Sequence, residues 1–172
     1  MKIQIIGYSG AGKSTLAKKL GEYFKIPYLH LDNVQFYGDW QERSKEEQNA
    51  IVNNFLKENE DWVIDGNYSV VAPSRFENSD ITIFLKYNRF FCYYMCRKRY
   101  YKYRNTSRES CPCKEKFDFK FKKWILFTSR TKKMKKKYYT NLNKTKGLKL
   151  IFKNRRQLNK WLDVFLSSRK EK

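Results

Sequence analysis

The chain has 172 residues, the size of one average domain, so we expect a single domain spanning residues 1–172. No stretch approaches the roughly 18 consecutive apolar residues that a membrane helix needs, and residues 1–6 are too short an apolar run for a signal peptide. These features predict a cytoplasmic protein without a membrane partner.

The net charge of +21 is concentrated in the C-terminal half of the chain. Residues 1–84 contain 9 Lys and Arg against 12 Asp and Glu, whereas residues 85–172 contain 29 against 5. An excess of this size attracts polyanions, either nucleotides or nucleic acid, and charge alone does not distinguish between them. Nucleic-acid binding by the basic half therefore stays open as an alternative.

Short apolar runs alternate with helical patterns along the chain. The expected strands are residues 2–6, 26–31, 62–64, 80–85 and 148–152. The expected helices are residues 14–24, 45–58 behind a Ser44–Glu47 capping box, 89–104, pieces of 117–139, and a last helix capped by Asn154. This alternation predicts a parallel five-stranded sheet covered by helices on both faces, with ligands beyond the carboxyl ends of the strands.

A glycine-rich loop joins the first strand to the first helix. Residues 7–14 satisfy the pattern G-x-x-x-x-G-K-[ST] at every fixed position. The glycines let backbone N–H groups surround a phosphate, and the dipole of the following helix points at the same anion. We predict ATP and Mg²⁺ as cofactors, with Lys13 on the β- and γ-phosphates and Ser14 as a ligand of Mg²⁺. The predicted ATP contacts are Gly7, Ser9, Gly10, Ala11, Gly12, Lys13, Ser14 and Thr15.

Two aspartates end predicted strands at the edge of the sheet where ligands bind. Asp65 has the position of a Walker B residue that acts on Mg²⁺ through water; the alternative is that it caps the following turn. Asp32 is predicted to orient or deprotonate an acceptor hydroxyl, the alternative being a turn-forming residue before Asn33. His30 is interpreted as structural.

The residues after the third strand, where a small kinase holds its acceptor, are Asn67, Tyr68 and Arg75, and all three are predicted to bind substrate. For Arg75, a clamp on an acceptor phosphate and a surface ion pair with Glu77 are equally compatible with the sequence.

The basic segment after the fourth strand is predicted to form a lid. Its arginines would neutralise charge on the transferred phosphoryl group, and we assign Arg97 as the catalytic one. The candidates are Arg97, Arg99, Arg104 and Arg108. Residues 97–104 also interleave aromatic and cationic side chains, as in proteins that bind single-stranded nucleic acid, and the lysines at 132–137 form either a solvated helix face or a second such contact.

The four cysteines do not have the Cys-x-x-Cys spacing that zinc sites prefer. We interpret them as reduced thiols, with zinc held across both pairs as the alternative. They are Cys92, Cys96, Cys111 and Cys113.

Several of these stretches together resemble the bacterial DNA topology modulation (FlaR-type) proteins, which are grouped with adenylate-kinase-like P-loop enzymes. The matching stretches are the phosphate loop through Thr15, residues 29–32, Trp40, residues 62–68 and residues 113–118. The resemblance implies a five-stranded parallel core, ATP binding and a kinase activity of undefined substrate, under a family name that points to DNA. Residues 65–68 lack the Pro-Arg that follows the corresponding glycine in true adenylate kinases, so we do not expect AMP as the acceptor.

The leading hypothesis is a P-loop phosphotransferase that moves the γ-phosphate of ATP to a small-molecule or nucleotide acceptor. The predicted fold is the three-layer α/β sandwich of P-loop NTPases, of the nucleoside- and shikimate-kinase type, with a helical lid at about residues 89–142. The alternative is a DNA-binding protein that uses ATP as a switch.

Overall fold

Five parallel strands form the central sheet of the computed structural model, which describes residues 1–168. The strands are β1 (Lys2–Gly7), β2 (Tyr28–His30), β5 (Trp62–Asp65), β6 (Ile81–Leu85) and β7 (Leu148–Phe152), in the spatial order β2-β5-β1-β6-β7. All four neighbouring pairs are parallel. The predicted five-stranded parallel sheet is therefore confirmed, while residues 169–172 of the predicted domain lie outside the described residues.

The central strands are continuous apolar runs because helices cover both faces of the sheet. Every residue of β5 and β6 is buried, and so are the last five residues of β1. Strands buried on both faces show no alternation of apolar and polar residues. The edge strand β7 is mostly exposed until Phe152, which packs into the core.

The predicted helices are present with bounds within a few residues of those expected, and two short helices, Leu31–Gln35 and Ser74–Glu77, were not predicted. The helices are α1 (Lys13–Phe24), α2 (Leu31–Gln35), α3 (Lys45–Glu58), α4 (Ser74–Glu77), α5 (Arg89–Tyr103), α6 (Phe119–Leu126), α7 (Lys132–Lys144) and α8 (Arg155–Ser167), with a 3₁₀ turn at Thr128–Arg130. The capping box is present: Glu47 N–H donates to the Ser44 hydroxyl at 3.2 Å, and Ser44 N–H donates to the Glu47 carboxylate at 2.9 Å. Within residues 1–168, none of these helices has the length and apolar character needed to cross a bilayer.

An antiparallel hairpin that the sequence did not indicate follows α2. Its strands are β3 (Phe36–Gly38) and β4 (Gln41–Glu42). The two turn residues, Asp39 and Trp40, have φ angles of 44° and 64°. Both lie in the left-handed region that two-residue hairpin turns require and that glycine or asparagine usually fills. Neither residue type stands at these positions, so the usual hairpin signal is absent.

An irregular loop, residues 104–118, joins α5 to α6 and contacts the hairpin. The Trp40 N–H donates to Cys113 Sγ at 3.2 Å, and its indole N–H donates to the Lys114 carbonyl at 3.1 Å. Cys111 and Cys113 also pack with Phe36 in a small apolar cluster. The helices predicted in the segment 89–142 are present. The loop 104–118 joins α5 to α6 and is held against the hairpin.

Candidate active site

The phosphate loop has backbone geometry suited to an anion. Gly10 and Gly12 adopt φ angles of 78° and 89°, and the Ala11 N–H donates to the Tyr8 carbonyl at 3.1 Å. Helix α1 begins at Lys13 without a side-chain cap. The five other long helices in the described residues are capped by Ser44, Asn88, Asp118, Thr131 and Asn154. The first N–H groups of α1 are therefore available to a phosphate.

Helix α5 packs closely against the phosphate loop at Gly10. A Cβ on Gly10 would lie 2.4 Å from the Cys92 carbonyl and 2.7 Å from Cys96 Sγ. Real Cβ atoms essentially never approach non-bonded heavy atoms within 3.0 Å. Glycine is therefore required here by close packing as well as by its positive φ. The buried cysteines of α5, Cys92 and Cys96, are therefore in contact with the predicted phosphate-binding loop.

Asn67 braces the start of the phosphate loop. Its Oδ1 accepts from the Gly7 N–H at 2.9 Å, and its Nδ2 donates to the Gly7 carbonyl at 2.7 Å. The same amide nitrogen is 3.3 Å from the Tyr138 hydroxyl. Asn67 does not line the cleft. The structure therefore does not support the predicted role of Asn67 in binding substrate: its amide bonds to Gly7 and Tyr138 and lies outside the cleft lining.

A carboxylate connects the loop to strand β2. The Ser14 hydroxyl donates to Asp65 Oδ2 at 2.9 Å, and Asp65 Oδ1 contacts Nδ1 of His30. His30 and Asp65 are paired across neighbouring strands β2 and β5, and both side chains are about 5% exposed. His30 is buried, as a structural residue would be, but it also lines the cleft and contacts the predicted Walker B residue.

The residues Ser14 and Asp65 fit a magnesium ion. Both supply oxygen atoms, which Mg²⁺ prefers. Because the Ser14 proton is donated to Asp65, the hydroxyl lone pairs remain free for a cation. Among residues 1–168, no group of three or more His, Cys, Asp and Glu side chains could hold a metal ion, so a cation here would need phosphate and water as further ligands.

A cleft of about 570 Å³ opens in front of the phosphate loop. Its cationic lining residues are Lys13, Lys18, Lys98, Arg99, Lys102 and Arg108, and its acidic ones are Asp32 and Glu109. Lys13 lies over the loop with its Nζ 3.4 Å from the Tyr8 carbonyl. Cations outnumber acids, so the cleft attracts a polyanion such as a triphosphate.

Asp32 and Tyr68 both line this cleft and contact each other. The Tyr68 hydroxyl donates to Asp32 Oδ1 at 2.7 Å. Burial, together with the negative charge of Asp32, raises the pKa of Tyr68 well above its usual value, so the phenol stays protonated and keeps donating. Two of the predicted substrate-side residues are thereby brought together, with the carboxylate held in one orientation.

Arg97 is not part of the site. It is exposed on α5, where its guanidinium lies 5.7 Å from the Tyr101 ring, and it does not line the cleft. The predicted catalytic role of Arg97 is therefore not supported. Arg99, two positions later, faces the cleft instead, because two residues correspond to about 200° of helix rotation.

Arg99 and Arg108 line the cleft and share one buried counter-ion. Arg99 Nε lies 3.0 Å from Oε1 of Glu115, and Arg108 Nε contacts the same oxygen. The Glu115 side chain is only 4% exposed. No feature of its local sequence distinguishes this glutamate, so sequence reasoning missed it.

Arg75 is buried beneath the turn that follows β5 rather than placed in the cleft. It is 0% exposed, and its Nε donates to Gln4 Oε1 at 3.0 Å. Its other nitrogens donate to main-chain carbonyls of residues 68, 71 and 72. Burial lowers its pKa to about 9. Both predicted roles, a phosphate clamp and a surface ion pair with Glu77, are therefore unsupported.

The cysteines are free thiols in two separate places. Cys92 and Cys96 belong to the main core, whereas Cys111 and Cys113 belong to the cluster with Phe36. Burial raises the pKa of both Cys96 and Cys111 to about 11, so these thiols are protonated at neutral pH. This agrees with their interpretation as reduced structural thiols.

A smaller cleft of about 210 Å³ lies on the other side of the phosphate loop. It meets the larger cleft at Gly10, Gly12, Thr15 and Met95. Phe91 and Met95 of α5 form one wall, and Arg155 and Asn159 of α8 form part of the other. Its mixture of apolar and hydrogen-bonding side chains is typical of sites that hold a ring system.

Solved kinase structures have the same fold as this chain. A shikimate kinase from Bacteroides thetaiotaomicron matches with a TM-score of 0.59 and 15% identity over 97% of both chains. A deoxyadenosine kinase from M. mycoides with bound dATP matches with a TM-score of 0.56 and 14% identity over 98% of both chains. An uncharacterized protein from Eubacterium ventriosum matches with a TM-score of 0.53 and 17% identity over 98% of this chain and 100% of its own. The chain has the fold of the P-loop kinases.

This likeness confirms the predicted fold class and, at such identities, establishes the fold alone. Comparison of the sequence with protein-family models and with curated proteins finds no match. The resemblance to the FlaR-type family is therefore not confirmed, and the structure comparisons show the fold that P-loop kinases share.

Proposed function

We propose that the protein is a Mg²⁺-dependent phosphotransferase that moves the γ-phosphate of ATP to a small-molecule or nucleotide acceptor. The observation that carries this proposal is the hydrogen bond from Ser14 to Asp65 at the start of an uncapped helix. Ser14 lines the same cleft as Asp32, a carboxylate suited to activating an acceptor, and Asp65 contacts that cleft through Ser14. The folds of the structural neighbours, which include a kinase with bound dATP, support it.

ATP would occupy both clefts, because they meet at the phosphate loop. The triphosphate would receive N–H groups from the loop and the start of α1, with Thr15 near the α-phosphate and Lys13 near the β- and γ-phosphates. The base and ribose would lie in the smaller cleft between Phe91 and Asn159. Mg²⁺, held by Ser14 directly and by Asp65 through water, would neutralise charge on the phosphate oxygens.

In the transfer step, an acceptor oxygen forms a bond to the γ-phosphorus. The bond from that phosphorus to the β–γ bridging oxygen breaks, and ADP leaves. Where the acceptor is a hydroxyl, its proton passes to Asp32, which Tyr68 holds in place. Lys13 stabilises the charge that shifts onto the leaving phosphate.

The alternative of a DNA-binding switch rests on the net charge, on the aromatic and cationic pattern of residues 97–104 and on a resemblance that is not confirmed. The five lysines between residues 132 and 137 are all exposed on α7, as the residues of a solvated helix face are. This arrangement agrees with the simpler of the two interpretations of that run.

The test is acceptor-dependent formation of ADP from MgATP, followed by ³¹P NMR. The panel would contain nucleosides, nucleoside monophosphates and hydroxylated acids, including deoxyadenosine, dCMP and shikimate, with and without DNA. Lys13→Ala should reduce turnover ~100-fold or more, because it removes one preorganised charge-assisted contact. Lys57→Ala, an exposed change on α3, is the matched control. Unchanged turnover in Lys13→Ala, or ADP formation stimulated only by DNA, would refute the proposal.

A further inference from the structure

We propose that the acceptor carries an anionic group, a carboxylate or a phosphate, which Arg99 and Arg108 bind. This inference rests on the proposed function and deepens it, because it names the chemical class of the second substrate.

Arg99 and Arg108 come from different elements but converge on one carboxylate. Arg99 is in the fourth turn of α5 and Arg108 is in the loop 104–118. The Nε atoms of both contact Oε1 of buried Glu115, and one terminal nitrogen of Arg108 donates to the Ser110 hydroxyl at 2.7 Å. Two cations and one anion leave a net charge of +1 on a wall of the cleft. A bound anion would complete this arrangement, because guanidinium groups pair well with carboxylate and phosphate oxygens.

The two arginines belong to the acceptor side of the cleft. The loop 104–118, which contains Arg108, is held to the segment that contains Asp32. The Asn33 side chain donates to the Glu109 carbonyl at 2.6 Å, and the Trp40 indole N–H donates to the Lys114 carbonyl. Neither Arg99 nor Arg108 lines the smaller cleft, where the nucleoside of ATP would lie. Both positions therefore suit a ligand that faces Asp32 rather than the base and ribose of ATP.

The space between the arginines and Asp32 suits a small ring compound. Trp40 and Phe36 line the same cleft as the arginines and Asp32, and the Trp40 side chain is 36% exposed. Trp40 also has a φ of 64°, a conformation that costs a bulky residue free energy and that is enriched at binding sites. An acceptor here would place its body against Trp40, its anion at the arginines and its reacting oxygen near Asp32.

The first arm of the test compares acceptors that differ only in charge. One pair is a hydroxylated carboxylic acid and its primary amide, and the other is a nucleoside 5′-monophosphate and its nucleoside. We expect the charged member of one pair to have a kcat/KM ~100-fold higher, since the neutral member cannot form charge-assisted hydrogen bonds with the two guanidinium groups. The pair that shows the effect identifies the anion as carboxylate or phosphate. Equal use of charged and neutral members would overturn the inference.

The second arm uses variants of the two arginines. Arg99→Gln and Arg108→Gln should raise the KM of the charged acceptor at least ~10-fold while leaving the KM of MgATP unchanged. Arg97→Gln, exposed on the same helix, is the matched control. Arg108→Lys should restore part of the affinity, because it keeps the charge but not the planar fork. A rise in the KM of MgATP instead would assign the arginines to ATP and overturn the inference, leaving the kinase proposal intact.

The third arm separates failure of this inference from failure of the proposed function. The same four compounds are titrated by calorimetry in the presence of MgADP, with melting curves confirming that each variant is folded. Binding of the charged members that is lost in Arg108→Gln supports the anion site even where no phosphate is transferred. Equal binding of charged and neutral members, or binding that Arg108→Gln leaves unchanged, overturns it, as does the absence of binding by every charged compound.

Discussion

Asp65 accepts a hydrogen bond from the Ser14 hydroxyl at 2.9 Å while its other carboxylate oxygen contacts Nδ1 of His30. One buried side chain thus links the first turn of α1 to strand β2, across the carboxyl ends of two neighbouring strands. The serine that follows the P-loop lysine is held in one orientation before any ligand binds. Such preorganisation matters because a ligand group that must first be ordered contributes less to binding and catalysis.

Replacement of Asp65 by asparagine should impair catalysis and the response to magnesium together. The amide can still accept from Ser14, but it has no charge to attract a cation or its water ligands. We expect kcat to fall ~100-fold and the Mg²⁺ concentration for half-maximal rate to rise ~10-fold. Steady-state rates across a magnesium series measure both, with Asp163→Asn, an exposed change on α8, as the control. A normal magnesium response in Asp65→Asn would show that this carboxylate only braces the turn.

Two substitutions at His30 should distinguish a positioning role from a packing role. Asparagine can place an amide close to the position of Nδ1 and so retain the contact with Asp65, whereas leucine fills the space without a polar atom. His30→Leu should raise the half-saturating Mg²⁺ concentration ~10-fold, and His30→Asn should largely preserve it, because partners of metal-binding groups tune affinity by such factors. Magnesium titrations at constant ATP provide the measurement. Equal effects of both changes would mean that His30 acts by packing alone.

The brace between Asn67 and Gly7 should control the affinity for nucleotide. Asn67→Asp keeps an acceptor for the Gly7 N–H but directs a second oxygen at the Gly7 carbonyl, 2.7 Å away in the wild type. Losing one buried hydrogen bond costs about 1–3 kcal/mol, so we expect affinity for MgATP to fall between ~5- and ~100-fold. Calorimetric titration with MgATP, with Asn53→Asp on the exposed face of α3 as the control, tests this. Unchanged affinity would contradict the bracing role.

The parts of the fold that local patterns determine could be predicted from the sequence. Buried strands read as continuous apolar runs, the glycine loop has a defined spacing, and Ser44 and Glu47 form their box within four residues. The position of Asp65 at the edge of the sheet could be predicted because Asp65 directly follows such an apolar run. The hairpin at Asp39 and Trp40 could not, since Trp40 stands where such a turn usually has glycine.

The parts of the site that depend on long-range contacts could not be predicted. Asn67 meets Gly7 across 60 positions of sequence, and its amide satisfies backbone groups that the sequence alone leaves unassigned. Arg97 and Arg99 are chemically identical, so only the rotational phase of α5 selects the second for the cleft. Glu115 acquires its role solely from the loop that brings it to two arginines. The type of a residue indicates which chemistry its side chain can perform. The burial and direction of that side chain decide whether it contacts the cleft.

Arg75 provides the sharpest test of that distinction, because its sequence position allowed a substrate contact or a surface ion pair, whereas its burial favours a structural role. Arg75→Met preserves much of the side-chain volume but removes the donor to Gln4 Oε1 and to the Val71 carbonyl. The carbonyls of Tyr68 and Ala72 keep the N–H groups of Val71 and of residue 75 as donors. Each unsatisfied buried acceptor costs about 1–3 kcal/mol, partly offset because the arginine charge no longer has to be buried.

We therefore expect Arg75→Met to lower the free energy of unfolding by about 2–4 kcal/mol, measured by urea denaturation, while the KM values of the folded enzyme stay unchanged. Arg156→Met, exposed on α8, should leave stability within about 0.5 kcal/mol of wild type. A stable Arg75→Met protein with a raised acceptor KM would instead restore the phosphate clamp that the sequence suggested. The structure predicts the first result, because a guanidinium with 0% exposure has no path to a ligand in the cleft.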